Sequence, residues 1–325
     1  MNAKIEPASS DELQRAFELQ RTHQWTVRRS SAQQRIAKLE KMRAAIQARE
    51  GAVNAALHAD LGRNDESSAI EFSAIYNDID DAVANLDNWM APVEVDTTEA
   101  FADARARMVY EARGIVLLFG PWNYPFTLVL QPLVAIIAAG NCALVKPNEM
   151  APNVSAVTAE IIRETFDPAE IAVFEGGVQL ANDLLELPVD HIFFTGSPAV
   201  GKVVMTAAAK HLASVTLELG GKNPVIVDRD ADIADAAEKV AFLRNMNSGQ
   251  VCLCPENIWV HEDCKDEFIA VAQATYQAAF YQDGELNRDV TGKTIDQRNL
   301  ARIKGYLDDA RDKGARVVCG GDVVE

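Results

Sequence analysis

The chain reads as an α/β protein built on a mostly parallel sheet, with a second α/β series behind it. Three observations predict this. After Gly114, short apolar runs (GIVLLFG, CALVKP, AVFEGG, HIFFTG) alternate with helix-length segments such as Phe126 to Ala139 and Asn153 to Phe166. Strands that are apolar throughout, rather than every second residue, belong to sheets covered by helices on both faces. A comparable series begins near VTLELGG and continues through PVIVD, NIWVHE and ARVVCGG.

In chain order, the first 90 residues are expected to be helical. Ser9 and Glu12 stand at capping-box spacing, and Ile36, Leu39, Met42 and Ile46 recur at helical intervals, as do Ile75, Ile79, Val83, Leu86 and Trp89. From Trp89 to Arg113 the periodicity lapses around a Pro, paired Thr and an alternating stretch near Val109, which predicts an extended excursion or hairpin. Ligands in such sheets sit at the carboxyl ends of the strands, where the polar residues here fall.

Composition narrows the function. The 325 residues are 48% hydrophobic and 24% charged, which excludes wholesale disorder and a many-span membrane protein. With 31 basic against 48 acidic residues the net charge is −17, so nucleic acid and anionic membrane are poor partners. Five scattered cysteines do not form a disulfide framework, which points to a reducing compartment. The start MNAKIEPASSDELQ lacks the pattern of a signal or transit peptide, and Gln131 and Pro132 interrupt the longest apolar stretch; a cytoplasmic location is expected.

Several motifs could carry chemistry. Cys252 and Cys254 follow a Ser248-Gly249-Gln250 turn, where a thiolate can act as a nucleophile, although free cysteines are often inert core residues. Glu218, in VTLELGGKNP, is a carboxylate in an apolar strand; desolvation there would suit it to general-base work, while a strand-end glutamate facing water, with Lys222 as its partner, is the plainer alternative. In PWNYP, two prolines stiffen a loop that presents the Asn123 amide as a donor to a developing oxyanion. FTGSPAVGK places a glycine turn between a strand and a helix, suited to a phosphate. It approaches a P-loop, with Asp228 as the metal-binding strand end of an NTPase, but Val203 replaces the magnesium-binding hydroxyl and Pro198 removes a donor. Cys252, Cys254, His261 and Cys264 are irregularly spaced for zinc and interrupted by NIWV, so no metal is expected.

Taken in order, PWNYP, LVKPNE, FFTGSPAVGK, TLELGGKNP and NSGQVC resemble the aldehyde dehydrogenase superfamily, most closely its class 3 and coniferyl aldehyde dehydrogenase branch. The resemblance implies a Rossmann-like NAD-binding domain (1–90 and 113–217), an oligomerisation hairpin (91–112) and a catalytic domain (218–325), with a homodimer as the assembly. It implies that Cys252 is the nucleophile and Cys254 a bystander, that Asn123 and the Cys252 N–H hold the oxyanion, and that Glu218 activates the hydrolytic water. It places Lys146 and Glu149 at the adenine ribose, Gly196 and Ser197 at the pyrophosphate, and Thr195, Leu219 and Gly220 near the nicotinamide, with Trp122 and Gly201 also lining the cofactor. Glu149 should favour NAD over NADP, and Lys146 blunts that preference. The substrate implied is a small aldehyde. Family members continue through a Glu-Glu-x-Phe-Gly-Pro motif that does not stand in this sequence, so an incomplete catalytic domain is expected. A fragment that binds cofactor without turnover is the alternative.

Overall fold

The computed structural model describes residues 8–323; the first seven residues of the leader reading lie outside the described residues. The chain forms two compact units. One comprises the chain up to Val53 with Ala69–Glu218, the other Asn54–Ser68 with the chain from Leu219 onward. Residues 54–68 thus leave the N-terminal helices they follow in sequence. Helical periodicity does not report this, because an amphipathic helix shows the same pattern whichever core it faces.

The N-terminal helices are α1 (Ser10–Arg28), α2 (Ala32–Gln47), α3 (Glu50–Leu61) and α4 (Asp65–Met90). Ser9 caps α1 through the expected box: the Glu12 N–H donates to Ser9 Oγ, and the Ser9 N–H donates to Glu12 Oε2 at 2.7 Å. Leu39, Met42 and Ile46 of α2 are fully buried, as are Ile75 and Ile79 of α4. Trp89 departs from the expected stripe and is 46% exposed, because burial along α4 ends at Leu86. The excursion is a hairpin: β1 (Val93–Val95) pairs antiparallel with β2 (Ala106–Met108), Val93 opposite Met108.

The sheet of the first unit holds β3 (Ile115–Phe119), β4 (Cys142–Lys146), β5 (Ile171–Val173), β6 (His191–Gly196) and β7 (Ser214–Leu219), in the order β5-β4-β3-β6-β7. The β3–β4, β3–β6 and β4–β5 pairs are parallel. Helices α5 (Thr127–Ala138), α6 (Pro152–Thr165), α7 (Val178–Leu185) and α8 (Pro198–Ala209) make the crossovers. Every residue of β3 and β4 is buried, which is why these strands are apolar without alternation. Each such Leu or Val side chain contributes about 1.5–3 kcal/mol on burial. Strand order reverses at β3, whose neighbours are β4 on one side and β6 on the other. A crevice therefore opens at the carboxyl ends of these strands.

In the second unit β8 (Asn223–Val227) runs parallel to β9 (Pro255–Val260). Helices α9 (Ile233–Asn245) and α10 (Lys265–Phe280) cover one face, with Val227, Ile233, Ala237, Cys264 and Phe268 at the centre. Ile226 and Trp259, on the alternate residues, are 80% and 68% exposed. A two-residue pair, β10 (Tyr281–Gln282) and β11 (Glu285–Leu286), precedes α11 (Gln297–Asp312). ARVVCGG, expected to be a strand, is irregular. Among the described residues no strand pairs with it, and β structure requires a hydrogen-bonded neighbour whatever the local propensity.

Candidate active site

The first unit gathers most of the expected cofactor residues at one end of its sheet. Trp122 and Asn123 follow β3, Lys146 and Glu149 lie at and beyond the end of β4, and Thr195, Gly196 and Ser197 end β6, so all fall at the reversal of strand order. The loops are tied together: the Gly120 N–H donates to Lys146 O at 3.0 Å, and Asn148 Nδ2 donates to Gly120 O at 3.1 Å. Asn123 is half-buried in the stiffened loop. Lys146 is only 4% exposed, and its ammonium donates to Glu149 Oε2 at 2.6 Å and to Pro147 O at 3.1 Å. A cleft of about 200 Å³ beside this pair is lined by Pro147, Glu149, Pro152, Ser155, Glu175 and Gly176.

These residues fit a dinucleotide. Thr195 Oγ1 is buried without a hydrogen-bond partner among the described residues, a polar atom that a ligand would satisfy. Gly196 is required by its surroundings, since a Cβ there would lie 2.5 Å from the Phe194 ring. Ser197 caps α8, its Oγ accepting from the Val200 N–H at 3.3 Å, and the following amides point out of the helix start. Gly201 is buried within α8. The helix begins at Pro198, so the residues a P-loop would use as a cradle are already helical.

Sequence reading missed Glu71. This fully buried α4 carboxylate accepts the Thr127 N–H at 2.7 Å, in the first turn of α5 directly after PWNYP. Helix α5 has no side-chain cap of its own, so Glu71 supplies the acceptor that its N-terminus lacks and thereby steadies the Asn123 loop. Nothing local marks it, because the pair is 56 residues apart.

Glu218 closes the first unit on β7 and is exposed, so of the two readings of this strand end the water-facing one holds and the desolvated one does not. The side chain of a strand at the end of the sheet order is covered only where a neighbour overlies it. The Lys222 ammonium binds Glu256 at 2.5 Å, and Glu256 also holds Arg244 at 3.2 Å.

Leu219, Gly220 and Cys252 belong to the second unit. Cys252 is half-buried on the loop after α9, where Asn247, Ser248 and Gly249 are successively left-handed, at φ 50°, 55° and 74°. Two non-glycine residues in that region store strain of order 1–3 kcal/mol each, as is common at functional loops. Arg244 Nη1 donates to Gly249 O at 3.1 Å, and a Cβ on Gly249 would strike the same guanidinium.

Two neighbours of Cys252 come from the segment that enters β8. Asn223 Nδ2 donates to Cys252 O at 2.8 Å and to Cys254 O at 2.9 Å, clamping both ends of the turn. A Cβ on Gly221 would lie 3.0 Å from Cys252 O, so Gly221 admits the loop. Cys254 is 4% exposed, its Sγ donates to Leu243 O at 3.3 Å, and burial pushes its thiol up despite nearby Arg244. Cys264 is a core residue, and among the described residues no group of three or more potential metal ligands comes together.

The first unit thus presents a parallel-sheet crevice whose edge fits a dinucleotide, and the second carries a cysteine on a strained, clamped loop. The aldehyde dehydrogenase family profile matches residues 1–325, and the chain belongs to that family. The Bacillus subtilis protein named AldX is 43% identical over 98% of this chain and 72% of its own length. Coniferyl aldehyde dehydrogenase of a Pseudomonas species is 37% identical over 87% of this chain and 59% of its own. A dog relative named as a dimeric, NADP-preferring aldehyde dehydrogenase is 37% identical over 88% of this chain and 62% of its own. The substrate-bound structure of Staphylococcus aureus AldH superposes with a TM-score of 0.87 at 37% identity, over 92% of this chain and 66% of that one. The expected fold and branch are thus borne out, and the chain spans between 59% and 72% of the length of these curated relatives. No helix among the described residues is long and apolar enough to cross a membrane.

Proposed function

We propose that the protein oxidises an aldehyde to a carboxylic acid with NAD or NADP, using Cys252 as nucleophile. The observation that carries this is the contrast between the two cysteines of one turn: Cys252 is half-buried on the strained loop, while Cys254 is sealed and its thiol pushed up. The Cys252 thiolate adds to the aldehyde carbon, and the thiohemiacetal oxyanion takes hydrogen bonds from the Asn123 amide and the Cys252 N–H. Lys146, Glu149, Thr195, Gly196 and Ser197 would hold the dinucleotide, whose nicotinamide would supply the acceptor for the hydride that leaves the adduct carbon as its oxyanion closes to the thioester carbonyl. Glu218 then takes a proton from a water, the water oxygen bonds to the acyl carbon, and the Cys252 thiolate leaves with release of the acid.

A Glu149 carboxylate accepts ribose hydroxyls and repels a ribose phosphate, while its pairing with Lys146 weakens that repulsion. This supports use of both cofactors with NAD preferred. A homodimer is the proposed assembly, with the exposed hairpin of β1 and β2 as its edge.

The test is aldehyde-dependent NADH formation in Cys252→Ala and Cys254→Ala. Turnover should vanish in the first and largely survive in the second, with cofactor affinity unchanged in both. Cofactor binding without any turnover by the unaltered protein would favour the non-catalytic reading instead.

A further inference from the structure

We infer that Arg63 is a positioning residue for the nucleophile, acting through Asn247; this rests on the reading of Cys252 above. Arg63 follows α3 and is 3% exposed, yet its Nε donates to Asn247 Oδ1 at 3.0 Å, across 184 residues of sequence. Asn247 is the first of the three left-handed residues that lead to Cys252. A conformation that L-residues disfavour persists only when its surroundings over-determine it, and a buried guanidinium is a strong donor with which to do so.

The surrounding contacts give Arg63 a rigid mount. Lys293 donates its backbone N–H to Leu61 O at 2.9 Å and its ammonium to Ala59 O at 2.7 Å. Gln250, two residues before the nucleophile, donates to Lys293 O at 3.1 Å and accepts the Ile295 N–H at 3.0 Å. A Cβ on Gly292 would lie 2.9 Å from Leu61 O and 3.3 Å from Ser248 Oγ, so the three segments are packed to backbone distance. The 62–64 turn therefore belongs to the second unit for a chemical reason: it sets the dihedral angles that aim the thiol.

The inference is tested by alkylating the full chain with iodoacetamide across pH, reading Cys252 by peptide mass spectrometry, alongside kcat, KM and NAD affinity. Arg63→Met should slow Cys252 alkylation, shift its pH profile and lower kcat, each by about tenfold or more, because a charged-donor bond and nucleophile alignment are lost together. NAD affinity should stay within about twofold, since only the loop is perturbed. Arg63→Lys should recover only part, as the ammonium lacks the planar fork. Asn247→Asp keeps the acceptor and should retain the profile; Asn247→Leu should match Arg63→Met, and the double variant should be no worse than either. If Arg63→Met does not fold, Asn247→Leu probes the same contact from the loop. An unchanged Cys252 profile in the folded variants, or additive losses in the double variant, overturns the inference. Alkylation does not depend on turnover, so a surviving activity in Cys252→Ala would defeat the nucleophile assignment separately.

Discussion

Replacing Asn223 by Ala removes the amide that bridges Cys252 O and Cys254 O at 2.8 and 2.9 Å. Each bond contributes about 1 kcal/mol net, and the two carbonyls lose a partner in a half-buried turn, so the stability loss should be about 2–3 kcal/mol. The catalytic cost comes from freedom rather than from lost chemistry, because the nucleophile's own peptide is released. Misplacement of a reacting atom by about 1 Å costs on the order of 100-fold, so kcat should fall between about 10- and 100-fold. Asn223→Asp should be worse than Ala, since it points a carboxylate oxygen at two carbonyl oxygens. Gly221→Ala should resemble Asn223→Ala, because its Cβ would enter at 3.0 Å from Cys252 O and 2.8 Å from Asn223 Oδ1. Urea midpoints and steady-state kinetics measured together provide the assay. If Asn223→Ala and Asn223→Asp both keep kcat within about twofold of the parent, the clamp does not position the nucleophile and this reasoning is refuted.

Three further outcomes are expected. Glu218→Gln should give a single burst of NADH followed by slow acid release, because only thioester hydrolysis needs the base; undiminished steady-state turnover would remove Glu218 from the mechanism. Glu71→Ala should lower the stability of the first unit by about 1–3 kcal/mol by orphaning the Thr127 N–H, visible as a lower melting temperature that Glu71→Gln largely restores. His191 is held below its ordinary value of 6.5 by burial and then by Arg113, with ring contacts to Ser214 and Thr216. Its neutral form is the one the fold accepts. The unfolded chain takes up the proton first, so stability is full above about pH 6.5 and falls as pH drops below it. Urea titrations at pH 7 and pH 5 should show this loss, reduced in His191→Gln; an equal loss in both proteins would place the acid sensitivity elsewhere.

Much of this molecule was legible in one dimension because the physics that shapes it is local or periodic. A strand buried on both faces must be apolar throughout, so β3 and β4 announced themselves as Ile115–Phe119 and Cys142–Lys146. The Ser9 cap is a four-residue interaction and needs no tertiary context. The motifs PWNYP, LVKPNE and FFTGSPAVGK likewise follow strands of one parallel sheet, whose carboxyl ends bring polar residues to one edge. Tertiary structure decided what depends on neighbours through space. Trp89 carries the right spacing but lies beyond the buried stripe, ARVVCGG has strand propensity but no strand to pair with, and Glu218 is exposed despite its apolar flanks. The clamps on the candidate loops are the clearest case: Glu71, Asn223 and Arg63 meet partners 56, 29 and 184 residues away, and a hydrogen bond closed over such distances leaves no period or spacing in the sequence from which to read it.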